Sequence, residues 1–322
     1  MSAPDAFALF YAALTVSLPT FGWVVLGVVL QRLGLLPPSL SEKLSRLAFN
    51  VGLPLMLFAN AAQVDYSRLG SARYLLAGVL ATLSMLVLSW IYSRWRNHPR
   101  ALRGIFVQAA FRSNLAIVGV ALTFSAYGSR GPVLAALPIA LMTALYNILA
   151  VWVLNATLGS NTSLYRVLLD IVRNPLVIGI SAGVGLSLSG LPIPVVLRPM
   201  GSALSTFFLP LVLVCIGGSM NLSRLYRAGA LTWEASVWRL CVAPLIGVLL
   251  ALAIGVRDEP LGVLFLLLAS PVAASSHVMV VAARGDGTLA ANIVVLTTLL
   301  SMVTITVGFF LLSVFSLVGQ LR

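Results

Sequence analysis

Hydrophobic runs of eighteen or more residues recur along the whole chain, separated by short polar connections. Runs of that length suit a hydrocarbon core about 30 Å thick crossed by helices, and they lack the short alternating segments of a membrane β-barrel. The pattern predicts ten spans, at roughly 6–31, 43–62, 72–93, 101–127, 131–158, 166–189, 195–219, 230–255, 261–283 and 287–315. The longest polar connections, 94–103 and 159–173, are too short to hold a soluble domain. The expected fold class is an all-α polytopic membrane protein.

Positions 19–75 recur at 175–231 with a constant shift of 156 and no gap. Sixteen of these 57 aligned positions are identical, including Gly27/Gly183, Gly34/Gly190, Pro54/Pro210 and Arg68/Arg224, where a chain this rich in Leu, Val and Ala would match at roughly five by chance. Three of the four prolines in the first copy, Pro19, Pro38 and Pro54, fall on prolines in the second. Proline is restricted by its own backbone geometry, so these matches weigh more than matching leucines. The shift carries span 1 onto span 6 and span 2 onto span 7, which gives units of five spans over 1–158 and 159–322. An odd number of spans makes the second unit enter the membrane from the opposite side. Inverted repeats of this kind build secondary transporters with a substrate site between the units.

Composition agrees with the span pattern: 60% of residues are hydrophobic, 9% are charged, and mean hydropathy is +1.05. The net charge of +12 comes from 19 Arg and one Lys against 8 acidic residues. In a soluble chain this excess would point to nucleic acid. Here the arginines punctuate apolar runs and read as loop anchors facing lipid headgroups, so no nucleic-acid partner is expected. With the N-terminus outside, cytoplasmic connections receive Arg32, Lys43, Arg46, Arg94, Arg96, Arg100, Arg103, Arg166, Arg173, Arg224, Arg227 and Arg284. The outer side receives Arg68, Arg73, Arg130, Arg198, Arg257 and Arg322. A bias of 12 to 6 sets both termini outside, in the plasma (inner) membrane. Cys215 and Cys241 lie in apolar segments and suggest neither a disulfide framework nor a metal site. The N-terminus lacks a basic leader region, so its apolar stretch is read as the first span.

The chemistry concentrates in spans 4 and 9, which are equivalent in the two units. Span 4 carries Arg112, Ser113, Asn114 and Gly119 near its middle; span 9 carries Pro271, Ser275, Ser276 and His277. Proline removes a backbone hydrogen bond, and small polar residues satisfy groups freed where a helix opens. Either span alone reads as an ordinary kink. The pair reads as a midplane substrate site made from half-helix ends. An arginine near the bilayer centre costs roughly 2.5–3.5 kcal/mol on insertion scales, so Arg112 needs a carboxylate, carbonyl oxygens or an anionic substrate beside it. Glu234 is the clear carboxylate within a span, and could pair with Arg239 on its own helix or serve coupling. His277 can carry a coupling proton, although a membrane histidine more often donates between helices. Asp286 is a gate or coupling carboxylate, or a solvated loop charge. Thr297, Ser301, Thr304 and Gly308 share one face of span 10 and suit close packing, with pore lining second.

Enzyme signatures are weak. Gly179, Ser181 and Gly183 match the hydrolase pattern G-x-S-x-G, and His277 could complete a dyad with Ser181. That motif needs a strained strand-to-helix turn, whereas this one lies inside an apolar helix. HExxH, Walker and metal-ligand patterns do not occur, so neither catalysis nor a cofactor or metal is expected. Asn161, Thr162 and Ser163 form a glycosylation sequence in a connection assigned to the cytoplasm, where it carries no meaning.

Several segments resemble the auxin efflux carrier family of transporters, in a short bacterial form without the long central loop of the plant PIN-type members. They are the opening LPTFGWVVLGVVLQRLGLL, then LSRLAFNVGLPLMLF, RSNLAIVGVAL, RNPLVIGISAGVG, FFLPLVLVCIGGSM and the closing SPVAASSHVMVVAARGDGTLAANIVVLTTLLSMVT. The resemblance covers nearly the whole chain. It implies interrupted spans 4 and 9 crossing at the substrate site, a scaffold of spans 1, 2, 6 and 7, and a moving unit of spans 3–5 and 8–10. It also implies a homodimer and organic-anion substrates such as auxin or malonate. Family members often carry proline two residues after the glycine of the span 4 motif, where this chain has Ala121 after Gly119.

The expectation is a secondary transporter of small organic anions. A sodium-coupled carrier like the bile-acid transporters would want more carboxylates within the spans, and an intramembrane serine hydrolase rests on Ser181 and His277 alone. The topology has a direct test. A cysteine introduced by Ser160→Cys should stay unlabelled by an impermeant thiol reagent on intact cells and react after permeabilisation. Labelling from outside would reverse the orientation.

Overall fold

A computed structural model describes residues 3–63, 71–159, 163–192, 195, 197–220 and 229–319. Of the positions used above, 67–69, 160–162, 194, 223–225, 227, 228 and 322 lie outside the described residues. The protein is 85% helix with no strand among the described residues. Seven helices there are long and apolar enough to cross a membrane, and two shorter apolar helices cover Leu115–Tyr127 and Pro175–Leu188.

The chain opens with α1 (Ala3–Arg32). Next comes a continuous run of α2 (Pro38–Leu47), a π-helical turn at Ala48–Gly52, and α3 (Leu53–Ala62). After α4 (Ser71–Trp95) the fourth run breaks in two: α5 (Arg100–Phe111), then a π-helical turn at Leu115–Gly119 leading into α6 (Val120–Tyr127). α7 (Arg130–Leu158) closes the first half. The second half contains α8 (Leu164–Val172), α9 (Pro175–Leu188) and α10 (Leu197–Ser219). A third π-helical turn, Trp238–Val242, joins α11 (Ala230–Val237) to α12 (Ala243–Ala253). A second broken run, α13 (Asp258–Ala269) and α14 (Ala274–Ala282), precedes α15 (Gly287–Val314).

Two of the π-helical turns stand two residues before a proline, Pro54 and Pro244. A proline ring meets the carbonyl four residues back and donates nothing to it, and a widened turn accommodates the ring without ending the helix.

The segment expected as one span at 166–189 is two helices. Asn174 accepts a hydrogen bond from the Leu176 N–H at 2.9 Å, and Pro175 occupies the first helical position, so a new helix starts there. The 14 residues of α9 rise about 21 Å, short of the roughly 30 Å hydrocarbon layer. On the preceding α8, Tyr165, Leu168 and Val172 are exposed along one side.

Two helix crossings make the same kind of contact. α1 packs on α10, and α3 packs on α9. At the first crossing a Cβ on Gly27 would run into the carbonyl of Val214 and the backbone nitrogen of Gly218. At the second, a Cβ on Gly183 would run into the carbonyl of Phe58 and the backbone nitrogen of Ala62. Each residue of one contact is its counterpart in the other shifted by 156 positions. Apolar association gains little inside a membrane, so backbones brought together at glycine by van der Waals contact are what hold such helices.

Gly27→Ala should therefore destabilise the protein by about 1–3 kcal/mol, because the obstructing atoms are backbone and cannot swing away. Gly22→Ala on the same helix, where a Cβ meets nothing within 4 Å, is the control. Melting temperatures in detergent should fall for the first and hold for the second; equal values would remove the glycine contact as a source of stability.

Candidate functional site

Helix α5 stops at Phe111 and α13 stops at Ala269; their continuations begin at Leu115 and Ala274. The two gaps run antiparallel past each other, with Ser113 bridged to Val272. The Asn114 N–H donates to the Pro271 carbonyl at 2.8 Å, and the Ala273 N–H donates to the Arg112 carbonyl at 3.4 Å. The Val272 N–H finds the Thr297 hydroxyl at 3.2 Å. Each gap thus satisfies backbone groups that the other leaves open, which hydrocarbon surroundings demand. Thr297, read from the sequence as a packing-face residue, contributes here as an acceptor.

Two arginines are buried in this region, Arg112 at 6% exposure and Arg239 at 0%, and no carboxylate is buried among the described residues. Arg112 donates to the Asn147 side-chain oxygen at 2.8 Å, to the Ser275 hydroxyl at 3.0 Å and to the Tyr146 carbonyl at 3.4 Å. All three acceptors are neutral. Arg239 donates to the Ala110 carbonyl at 3.2 Å and to the Leu268 carbonyl. Those carbonyls belong to the last turns of α5 and α13, where unpaired C=O groups gather about half a negative charge per helix.

A cavity of about 610 Å³ opens at the crossover. Of the residues singled out in spans 4 and 9, Arg112, Ser113, Asn114 and Ser275 line it. Among the described residues nothing hydrogen-bonds the Asn114 side chain, while the Ser113 hydroxyl lies 3.2 Å from that of Tyr146. Gly119 packs against Leu267 instead, and Pro271 is buried within the gap between α13 and α14. The Ser276 hydroxyl is buried with no hydrogen-bond partner among the described residues, and His277 lies beside Gly287 at the start of α15.

The remaining nominated residues lie elsewhere. Glu234 does not pair with Arg239; its carboxylate meets Arg96 at 3.1 Å, His98 at 3.1 Å and the Tyr92 hydroxyl at 3.3 Å. Asp286 caps α15 by accepting from the Leu289 N–H at 2.9 Å. Ser181 is exposed on α9, and among the described residues no hydrogen bond joins it to His277.

Sequence reasoning missed the contribution of α7, whose Thr143, Tyr146 and Asn147 line the cavity, and of Asn174 at the start of α9. A signal was present: Thr143 and Asn147 are polar residues four apart in the mostly apolar middle of α7, and so share one face.

The lining holds one cation and, among the described residues, no carboxylate. It also holds Leu115, Ala116 and Ile117 from one helical start and Ala274 and Ser275 from the other. The first N–H groups of a helix have no partner within it and carry about half a positive charge, so two such starts beside an arginine give the cavity a positive wall. If the Arg112 charge lacks a counter-ion, supplying one within the protein should matter. Asn147→Asp should raise the melting temperature of the unliganded protein, whereas Asn147→Leu should cost about 1–3 kcal/mol by removing an acceptor. A melting temperature lowered by both variants would mean that Arg112 is already compensated.

The chain matches the protein family described as membrane transport protein over residues 12–309. It is 24% identical over 284 residues to an uncharacterized transporter of Methanothermobacter thermautotrophicus, an alignment covering 88% of this chain and 92% of the relative.

Proposed function

The chain belongs to the auxin efflux carrier family of membrane transport proteins, and from that premise we propose that it is a secondary active transporter of small organic anions such as carboxylates. One observation carries the reading. Arg112 stands at the wall of the crossover cavity among neutral acceptors, between two helix starts, with no carboxylate in the lining among the described residues. A carboxylate entering there completes the charge balance, and the guanidinium offers it a bidentate fork. Ser275 and Asn114 add neutral hydrogen bonds beside it.

In this reading the chain forms ten spans as two inverted units of five, in the plasma membrane with both termini outside, and works as a homodimer. The contact repeated at a shift of 156 and the break in the fourth run of each half support the two-unit arrangement. The helices of the paired glycine contacts form the scaffold, and the broken helices travel with their neighbours in an elevator-type exchange of access. The cavity bears on this directly, because its walls combine Phe49 and Leu176 of the first group with Arg112 and Ser275 of the second. A sodium-coupled scheme gains nothing from a core with two buried arginines and no buried carboxylate among the described residues. Hydrolysis by Ser181 and His277 gains nothing either, since the two lie on different helices and are not hydrogen-bonded.

The test is a thermal-shift and calorimetric screen of purified protein against acetate, benzoate, malonate and citrate, since a ligand of the folded state raises the melting temperature by mass action. Losing one charge-assisted bond in a dehydrated site costs roughly 1.5–3 kcal/mol, so Arg112→Gln should weaken binding by about ten- to a hundredfold. Arg112→Lys should weaken it less, keeping charge but losing the fork. Wild-type affinity in a folded Arg112→Gln would make Arg112 structural, and silence of Asn114→Ala and Ser275→Ala as well would remove the crossover as the binding site.

A further inference from the structure

The second buried arginine lies outside the cavity lining, yet it touches both interrupted helices. Arg239 issues from the π-helical turn Trp238–Val242 and reaches Ala110 with one terminal nitrogen and Leu268 with the other. These are equivalent places: Ala110 is one residue before the end of α5, and Leu268 is one residue before the end of α13. Two helix C-termini therefore converge on one guanidinium. Their combined partial charge is about one negative unit, and the side chain between them carries one positive unit.

Resting on the anion-carrier reading above, we propose that Arg239 is a positioning residue that neutralises the carbonyl ends of α5 and α13 and so keeps the neighbouring cavity electropositive for its substrate. The crossover has two electrical faces. On one, the helix starts at Leu115 and Ala274 and the Arg112 side chain present positive charge to the cavity. On the other, the helix ends at Phe111 and Ala269 present negative charge a few residues away. Without a cation there, the negative ends would sit directly behind the anion site, in surroundings where water screens poorly, and would oppose the incoming carboxylate. Arg239 removes that opposition. The fork matters too: its two terminal nitrogens serve acceptors on separate helices and hold the two ends at a set distance, and the backbone hydrogen bonds between the gaps depend on that distance.

Charge and mere packing make different predictions. Purified wild type, Arg239→Lys and Arg239→Gln are titrated calorimetrically with benzoate and with malonate, alongside melting curves without ligand. Arg239→Gln should weaken whichever carboxylate the wild type binds by at least about tenfold. Arg239→Lys, which keeps the charge while losing the fork, should hold affinity within about threefold even where its melting temperature drops. Affinity should thus follow charge and stability should follow the fork, a separation that a purely structural arginine would not produce. Wild-type affinity in a folded Arg239→Gln, or equal losses in both variants, overturns the proposal. If Arg239→Gln does not fold, Arg239→Lys decides alone, and a loss well beyond threefold overturns it. Should the wild type bind neither carboxylate, or Arg112→Gln bind like the wild type, the anion-site reading itself fails and takes this inference with it. A loss in Arg112→Gln without a loss in Arg239→Gln removes this inference and leaves the anion site standing.

Discussion

Four helix ends meet at the crossover, the two C-terminal ones buried and the two N-terminal ones at the wall of the cavity. A soluble protein can leave the last turn of a helix to the solvent, but inside hydrocarbon each exposed N–H or C=O costs several kcal/mol unless the protein supplies a partner. The gap beside Ser113 and the gap beside Val272 solve the problem jointly, by lying antiparallel and exchanging backbone hydrogen bonds. Neither gap satisfies itself. The rest of the architecture serves to bring these two segments together: α7 supplies Tyr146 and Asn147 around Arg112, α15 supplies Thr297 to the Val272 N–H, and the turn after α11 supplies Arg239.

The four ends are treated unequally. The two C-terminal ends are closed by Arg239 within the protein, while the two N-terminal ends face a cavity whose one charged side chain, among the described residues, is Arg112. A transporter must bind its substrate strongly enough to select it and release it on the other side. An incomplete charge balance, open on one face only, suits that requirement better than a permanent internal ion pair would. In the proposed elevator scheme, a crossover held by backbone hydrogen bonds would move as one body with its bound anion.

The remainder of the molecule depends on small residues at helix crossings. The Gly27 contact with α10 and the Gly183 contact with α3 are the same construction in two copies, and they join the two halves of the chain along helices that contribute little to the charged centre.

Much of this was legible in the chain. Long apolar runs determined the helices, because a backbone in hydrocarbon has few other ways to pair its own polar groups. The shift of 156 named the glycine contact that recurs, Gly27 on Val214 and Gly183 on Phe58, and Pro271 and the polar triplet Arg112, Ser113 and Asn114 marked where helices open, because those are properties of neighbouring residues. The division of 164–188 at Asn174 and Pro175 was equally local, a capping signal read over by an apolar average. Other features belonged to the tertiary structure alone. Successive residues on a helix point about 100° apart, so only the settled rotation of α14 lets Ser275 meet Arg112 while Ser276 and His277 turn away. Likewise Glu234 took partners from the connection before α5, and Arg239 took carbonyls from two distant helices in place of a carboxylate five positions away. A buried charge is compensated by whatever lies within a few ångströms, and distance along the chain does not say what that will be.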